Sequence, residues 1–290
     1  MASAELRQIR RRIRSVQSTM KITRAMELIA TSRIAKARLR VAEAKPYTAK
    51  MTDVIRNIAA AGGLSHPLLE RRDVRTSGVL VVTSDRGLAG GYNSNVLRLA
   101  ERALNEHRAN SRPTRLFTVG AKAESYFRYR GYKIEDSFLG VTDTPTYGDA
   151  RAIGNVLLDD YEQERMDSVE VYTTRFVSAL TQTPVLWPLL PIEPPDMTVA
   201  GQVAGYSFEP SPEEILGRLL PRYLEGTIFG ILLEASASEH AARRRAMKAA
   251  TENAEELTRA LTREANAARQ AEITTEISEI VGGAEALTGG

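Results

Sequence analysis

The loop with the strongest claim to chemistry is DRGLAGGYN, residues 85–93, which follows the β-branched run GVLVVTS at 78–84 and opens a helical pattern. Glycine-rich turns at a helix N-terminus present backbone N–H groups to anions, so the first reading to weigh is a phosphate cradle. The spacing fits neither G-x-x-x-x-G-K-[ST] nor G-x-G-x-x-G, and a tight structural turn explains the glycines equally well. Ser84 lacks the context of a nucleophile elbow, and Asp85, Asp136, Asp143 and Asp149 form no nucleophile–base arrangement along the chain. His66, His107 and His240 are scattered, with no second ligand at metal spacing. The expectation is therefore no catalytic residue, no metal site and no cofactor.

Positive charge is the other chemical resource. Residues 1–56 hold 14 Lys and Arg against Glu5, Glu27, Glu43 and Asp53, a local net charge of +10 in a chain whose total is +3. Such asymmetry predicts that this arm meets an anionic surface. The run Arg7, Arg10, Arg11, Arg12 and Arg14 reads first as a solvated helix face, next as a partner surface, and last as a nucleic-acid contact. No Phe, Tyr or Trp precedes Tyr47, so bases would find nothing to stack on. The chain contains no cysteine, which removes disulfides, thiolate nucleophiles and thiolate metal sites and suits a reducing compartment. No stretch approaches eighteen apolar residues, so membrane insertion is not expected.

The elements that must position these residues fall into three groups. From Leu6 the apolar residues recur every seven, with Leu6, Ile13, Met20, Ile34, Val41 and Ile55 at one position and Ile9, Val16, Ala30, Ala37, Ala44, Met51 and Ile58 at the other. That period predicts a coiled-coil helix over residues 1–62, with its seam interrupted at Thr23 and Glu27, a kink at Pro46 and an end at Gly62-Gly63. Residues 76–190 change period. The run at 78–84 and the loop DRGLAGGYN lead to a helix ending near Asn110. A second run at 114–120 leads to a helix ending near Arg130. A helix near 150–165, a strand at 169–177 and the segment TPVLWPLLP complete an open α/β sheet. Residues 191–212 are rich in Pro and Gly and read as a linker.

The C-terminal arm, residues 213–290, is expected to be one long helix starting near Pro221, a residue suited to a first helical turn. Roughly sixty residues at 1.5 Å rise would extend on the order of 90 Å and would need a partner along their length. Small residues (Ala246, Ala249, Ala250, Ala260, Ala267, Ala268, Ala271) alternate with Leu257, Leu261, Ile273, Ile277 and Ile280. Another helix could approach such a surface closely, so the two arms are expected to pair antiparallel.

Four motifs in order carry a family resemblance: KITRAMELIATSR, SDRGLAGGYN, SEHAARRRAMKAATENA and ARQAEITTEISEIVGGA. Over essentially its whole length the chain resembles the gamma subunit of the rotary proton-translocating ATP synthase. The absence of a regulatory cysteine pair and of a transit peptide favours the bacterial type. The resemblance implies an α/β fold class: a long antiparallel two-helix coiled coil formed by the N- and C-terminal arms, with an inserted open α/β (Rossmann-like) sheet domain. It implies a non-catalytic rotor shaft inside a ring of alpha and beta subunits, near the epsilon subunit and the membrane rotor ring, peripheral to the cytoplasmic face of the cell membrane. No nucleic-acid partner is implied.

The family's coupling contacts fall on Met26, Arg243, Arg269, Gln270 and Thr274. Its signature continues through Ile273, Glu276, Glu279, Gly283 and Ala284. Arg244, Ala265 and Ala267 depart from the family, where Met, Tyr and Lys are usual. A nucleic-acid-associated basic coiled coil and a nucleotide-binding α/β enzyme are the competing expectations.

Overall fold

The computed structural model describes residues 2–60, 66–193, 209 and 211–288. The expected end of the first arm at Gly62-Gly63, and most of the segment expected as a linker, lie outside the described residues. Ten elements follow in order: α1 (Ala2–Ala60), β1 (Ser77–Val82), α2 (Tyr92–Ala109), β2 (Thr114–Val119), α3 (Ala121–Tyr129), β3 (Ile134–Phe138), α4 (Tyr147–Glu162), β4 (Ser168–Phe176), β5 (Gln182–Leu190) and α5 (Pro212–Thr288). The chain divides into two compact units, one of residues 1–29 with 244–290 and one of residues 30–243.

The first unit is a two-helix coiled coil. Leu6, Ile9, Ile13 and Val16 of α1 cluster with Leu261, Ala265 and Ala268 of α5, while Thr23 meets Thr251. As the number rises on one helix it falls on the other, so the pair is antiparallel. Thr23 corrects the expected break in the seam. It is 7% exposed, and its hydroxyl lies 2.8 Å from that of Thr251; one of the two donates across the seam while the other donates to a carbonyl of its own helix, Met20 or Met247. A threonine can fill a seam position when its hydroxyl is satisfied there.

On α5 the seam runs through Met247, Thr251, Ala254, Thr258, Leu261, Ala265 and Ala268, spaced alternately four and three. Ala249, Ala260, Ala267, Ala271 and Leu257, expected among the apolar contacts, face outward. Composition marked this helix as small and apolar, but only the 4-3 spacing selects the residues that touch a partner.

The second unit is built on a five-stranded sheet in the order β3-β2-β1-β4-β5, parallel except for β5, which pairs antiparallel with β4. Successive residues of β1 feed opposite faces: Val79 and Val81 pack with α2 and α3, whereas Leu80 and Val82 join the core made by α4, α5 and the end of α1. Strand β3 was absent from the expected elements. Its sequence IEDSF is polar and only partly buried because it is an edge strand, paired with β2 alone. Pro184 and Pro188 lie in β5, the other edge, where a missing N–H can be tolerated.

Helix α4 begins at Tyr147, earlier than its apolar pattern suggested, because Thr146 and Asp149 form a reciprocal capping box. Helix α5 begins at Pro212, and Pro221 lies inside it rather than in its first turn. An interior proline costs a helix roughly 3 kcal/mol. Leu216, Leu220, Leu224 and Ile228 form a fully buried stripe across that point, and each buried side chain of this kind contributes about 1.5–3 kcal/mol, enough to hold the helix through the proline.

Candidate partner interface

The DRGLAGGYN loop lies at the carboxyl end of β1, where the strand order reverses between β2 and β4. Open α/β sheets commonly bind ligands at that switch point. Here the chain supplies its own anion. Asp85 Oδ1 accepts from the N–H groups of Ala121, at the start of α3, and Gly140, while Oδ2 accepts from the N–H and hydroxyl of Thr142. Burial alone would raise this carboxyl, but those hydrogen bonds outweigh it and its pKa is lowered. A carboxylate at the helix N-terminus holds the place a phosphate would take. Ser84 is likewise engaged, its hydroxyl bonding Arg86 O and Asn93 Oδ1. Gly120, between β2 and α3, has φ 89°, and a Cβ there would meet Thr83 O at 2.6 Å, so this turn needs glycine.

Arg243 ties the loop to α5. It is 8% exposed, donates to Gly87 O at 3.1 Å and pairs with Glu239 at 2.7 Å, while Ala89 and Tyr92 pack on Ala242. Burial lifts the Glu239 carboxyl and Arg243 pulls it back, leaving its pKa above the ordinary value. A second loop is fastened alongside. Asp143 pairs with Arg33 of α1 and lies 3.7 Å from His240, Ser236 donates to Asp143 O, and Arg40 donates to Pro145 O.

His240 is 2% exposed, and burial lowers its pKa to about 4 against the opposing pull of Asp143. The folded state therefore binds this proton less readily than the unfolded state, whose value is about 6.5. The resulting stability is present above that pH and is lost as pH falls toward 4, by about 2 kcal/mol between pH 7 and pH 5. Glu239, shifted upward, works in the opposite sense. Urea unfolding at both pH values should show that His240→Gln removes most of this acid sensitivity; an unchanged pH slope would contradict the burial of a neutral imidazole.

The remaining expected residues lie on outward surfaces. Met26 is half-buried on α1, between the exposed Ile22 and Ile29 at helical spacing. Arg269, Gln270 and Thr274 are exposed on α5, with the Thr274 hydroxyl bonded to Gln270 O at 2.9 Å. Ile273, Glu276, Glu279, Gly283 and Ala284 are exposed too. These residues follow Ala268, the last seam contact among the described residues. Ile273, Ile277 and Ile280 are 43, 56 and 72% exposed. Among the described residues, Arg243 is thus separated from the others in environment: it is buried on internal partners.

Sequence reasoning passed over Leu88, which holds φ 63° with its side chain 62% exposed. A large apolar residue directly after Gly87 in a glycine-rich loop was the available signal. The arginines 7, 10, 11, 12 and 14 are all exposed, leaving Leu6, Ile9 and Ile13 to the seam. Among the described residues no helix is long and apolar enough to cross a membrane, and no cluster of His, Asp and Glu could hold a metal.

Together these features define a class: paired-helix proteins with an inserted α/β sheet, whose arm surfaces present apolar and polar side chains outward. The family model described as ATP synthase matches residues 5–287. The chain is 50% identical over 299 residues to the ATP synthase gamma chain of Frankia casuarinae and 47% identical over 307 residues to that of Mycolicibacterium smegmatis, with 99% of both partners covered in each case. It belongs to the ATP synthase gamma chain family.

Solved structures share the fold at lower identity. A chain of the Euglena gracilis mitochondrial ATP synthase, from a structure of its OSCP, F1 and c-ring, superposes with a TM-score of 0.68 at 15% identity, covering 98% of this chain and 95% of that one. A chain from the central stalk and c-ring of the Tetrahymena thermophila enzyme gives 0.60 at 21% identity, covering 79% and 99%.

Proposed function

We propose that this chain is the central rotor shaft of a proton-translocating ATP synthase, transmitting torque between a proton-driven membrane ring and a ring of alpha and beta catalytic subunits. The observation that carries the reading is the end of α5. In a chain about half identical to gamma chains throughout, this helix continues past the last seam contact among the described residues and exposes Ile273, Ile277 and Ile280. An apolar stripe on an uncovered helix calls for an apolar surround supplied by other subunits. The arginine face of α1 suits acidic groups on such a surround, and Met26 with Ile22 and Ile29 offers it an apolar contact.

The chain itself is non-catalytic in this reading, since Asp85 fills the anion position of its only switch-point loop among the described residues. It works peripherally at the cytoplasmic face of the membrane, with the epsilon subunit and the membrane rotor ring as further partners. An asymmetric shaft in a three-fold ring presents a different surface to each catalytic subunit. Each surface stabilises a different conformation of its neighbour, so rotation shifts the three sites in turn. Arg269 and Gln270 serve as the latch: adjacent helical positions point about 100° apart, and the guanidinium and amide can reach separate acceptors. Leu88 and Arg243 act together, the latter holding the loop that displays the former.

Reconstitution with alpha and beta subunits tests the assignment. The chain should copurify at one copy per three of each. Arg269→Ala with Gln270→Ala removes a charge-assisted bond worth about 1.5–3 kcal/mol and a neutral one near 1, so ATP turnover by the complex should fall at least tenfold. Helix content of the isolated chain should hold, because alanine favours helix. Normal assembly with parental synthesis and hydrolysis in the double variant would remove the latch.

A further inference from the structure

We propose that the cleft between α1, α5 and the β4–β5 edge is a binding site for a small neutral molecule, mostly apolar and carrying one hydroxyl or amide group. The cleft has a volume of about 430 Å³, within the roughly 300–1,000 Å³ found for small-molecule sites. Its apolar walls come from three elements: Val41 and Ala44 of α1, Val185 and Trp187 of β5, and Tyr223 and Ile231 of α5.

Two further wall residues are polar and unmatched. Thr173 of β4 is 3% exposed, and its Oγ1 has no hydrogen-bond partner; the buried Oγ1 of Thr227 on α5 also has none. Native interiors hold few such groups, because a buried hydroxyl without a partner is destabilising. Here one residue comes from the sheet and one from the helix, both line the cleft, and a χ1 rotation turns either closed-off oxygen toward a ligand there. Each hydroxyl can donate and accept, so a ligand hydroxyl or amide satisfies either.

The sequence of α5 also makes room. Gly226 and Gly230 lie one turn apart inside the helix, where glycine is less stable than alanine. A Cβ at Gly226 would touch only the Tyr47 ring, at 3.6 Å, and one at Gly230 would meet nothing within 4 Å. Neither glycine is required by close packing, yet both border the cleft and widen it. A neutral ligand fits better than an anion. Arg175 already lies over the Trp187 ring at 5.3 Å, and the remaining charged wall residues, Lys45 and Glu234, are of opposite sign.

Trp187 is the only tryptophan in the chain and so reports directly on this wall. The purified full-length chain should be titrated with 1-octanol, following Trp187 emission and binding heat, with octanoate as the charged comparison. Saturable binding of 1-octanol is expected, with octanoate weaker. Thr173→Val and Thr227→Val, which keep side-chain shape, should each weaken 1-octanol about fivefold. Gly230→Ala, placed in open space, should lower affinity without loss of thermal stability, and Gly230→Leu should abolish binding. Non-saturable partitioning, octanoate binding as well as 1-octanol, or affinity unchanged across the valine and Gly230 variants would overturn the proposal. Such a result would leave the shaft assignment standing, since that rests on the far end of α5.

Discussion

Arg243→Ala should destabilise the full-length chain by about 3–5 kcal/mol, because it strands Glu239 as a buried carboxylate without its counter-charge. Glu239 is 2% exposed, and its second oxygen has no partner even with Arg243 present. The same change removes the bond to Gly87 O, freeing the loop that carries Leu88. Two controls separate these effects. Arg243→Met with Glu239→Leu replaces the pair by apolar groups of similar bulk and should recover most of the stability. It should not restore turnover in the assembled complex, since neither new side chain can hold the loop. The stranded carboxyl of the single variant titrates above its unfolded value, so that variant should gain stability as pH falls toward the unfolded value of Glu. Chemical denaturation from pH 7 to pH 5 checks the sign, and a loss below 1 kcal/mol at neutral pH would show that the pair is not electrostatically coupled.

Ile273→Asp with Ile277→Asp should have little effect on the isolated chain and a large one on the complex. Both isoleucines are substantially exposed in this chain, so their replacement should change its stability by no more than about 0.5 kcal/mol per site. Within an apolar surround each carboxylate must be desolvated, at an effective cost of several kcal/mol. A penalty of 3 kcal/mol lowers an association constant roughly a hundredfold. The expected result is a folded chain that fails to retain alpha and beta subunits through gel filtration, or that yields a complex with turnover lowered to a similar degree. Ile277→Leu preserves the apolar surface and should behave as the parent. Full assembly and turnover in the double aspartate variant would mean that this part of α5 stays in water, contrary to the proposed role.

Much of the architecture is legible in the chain because periodicity survives without knowledge of neighbours. The seven-residue repeat of α1 predicted a seam whose described members are all buried or half-buried in the structure, and the β-branched runs located β1, β2 and β4. The failures have specific causes. Strand β3 is short and polar because it closes one edge of the sheet. Helix α4 started early through a capping box, and Pro221 was absorbed by a stripe of buried leucines contributed by the whole core. Thr23 looked like a break because its polarity is visible in sequence, whereas the hydroxyl that satisfies it lies 228 positions away.

The candidate site divides the same way. Spacing and composition alone determined that the arms are helical, that one is strongly basic, and that no thiol chemistry is available, since these are local or additive properties of the residues. Only the tertiary structure decided that Arg243 is buried on Glu239 and Gly87, that Asp85 occupies the helix N-terminus of α3, and that Ile273 and its neighbours are exposed past the last seam contact among the described residues. Those outcomes depend on which residues are brought together from distant parts of the chain. Burial, desolvation and hydrogen-bond satisfaction are properties of such meetings, and no single stretch of sequence contains them.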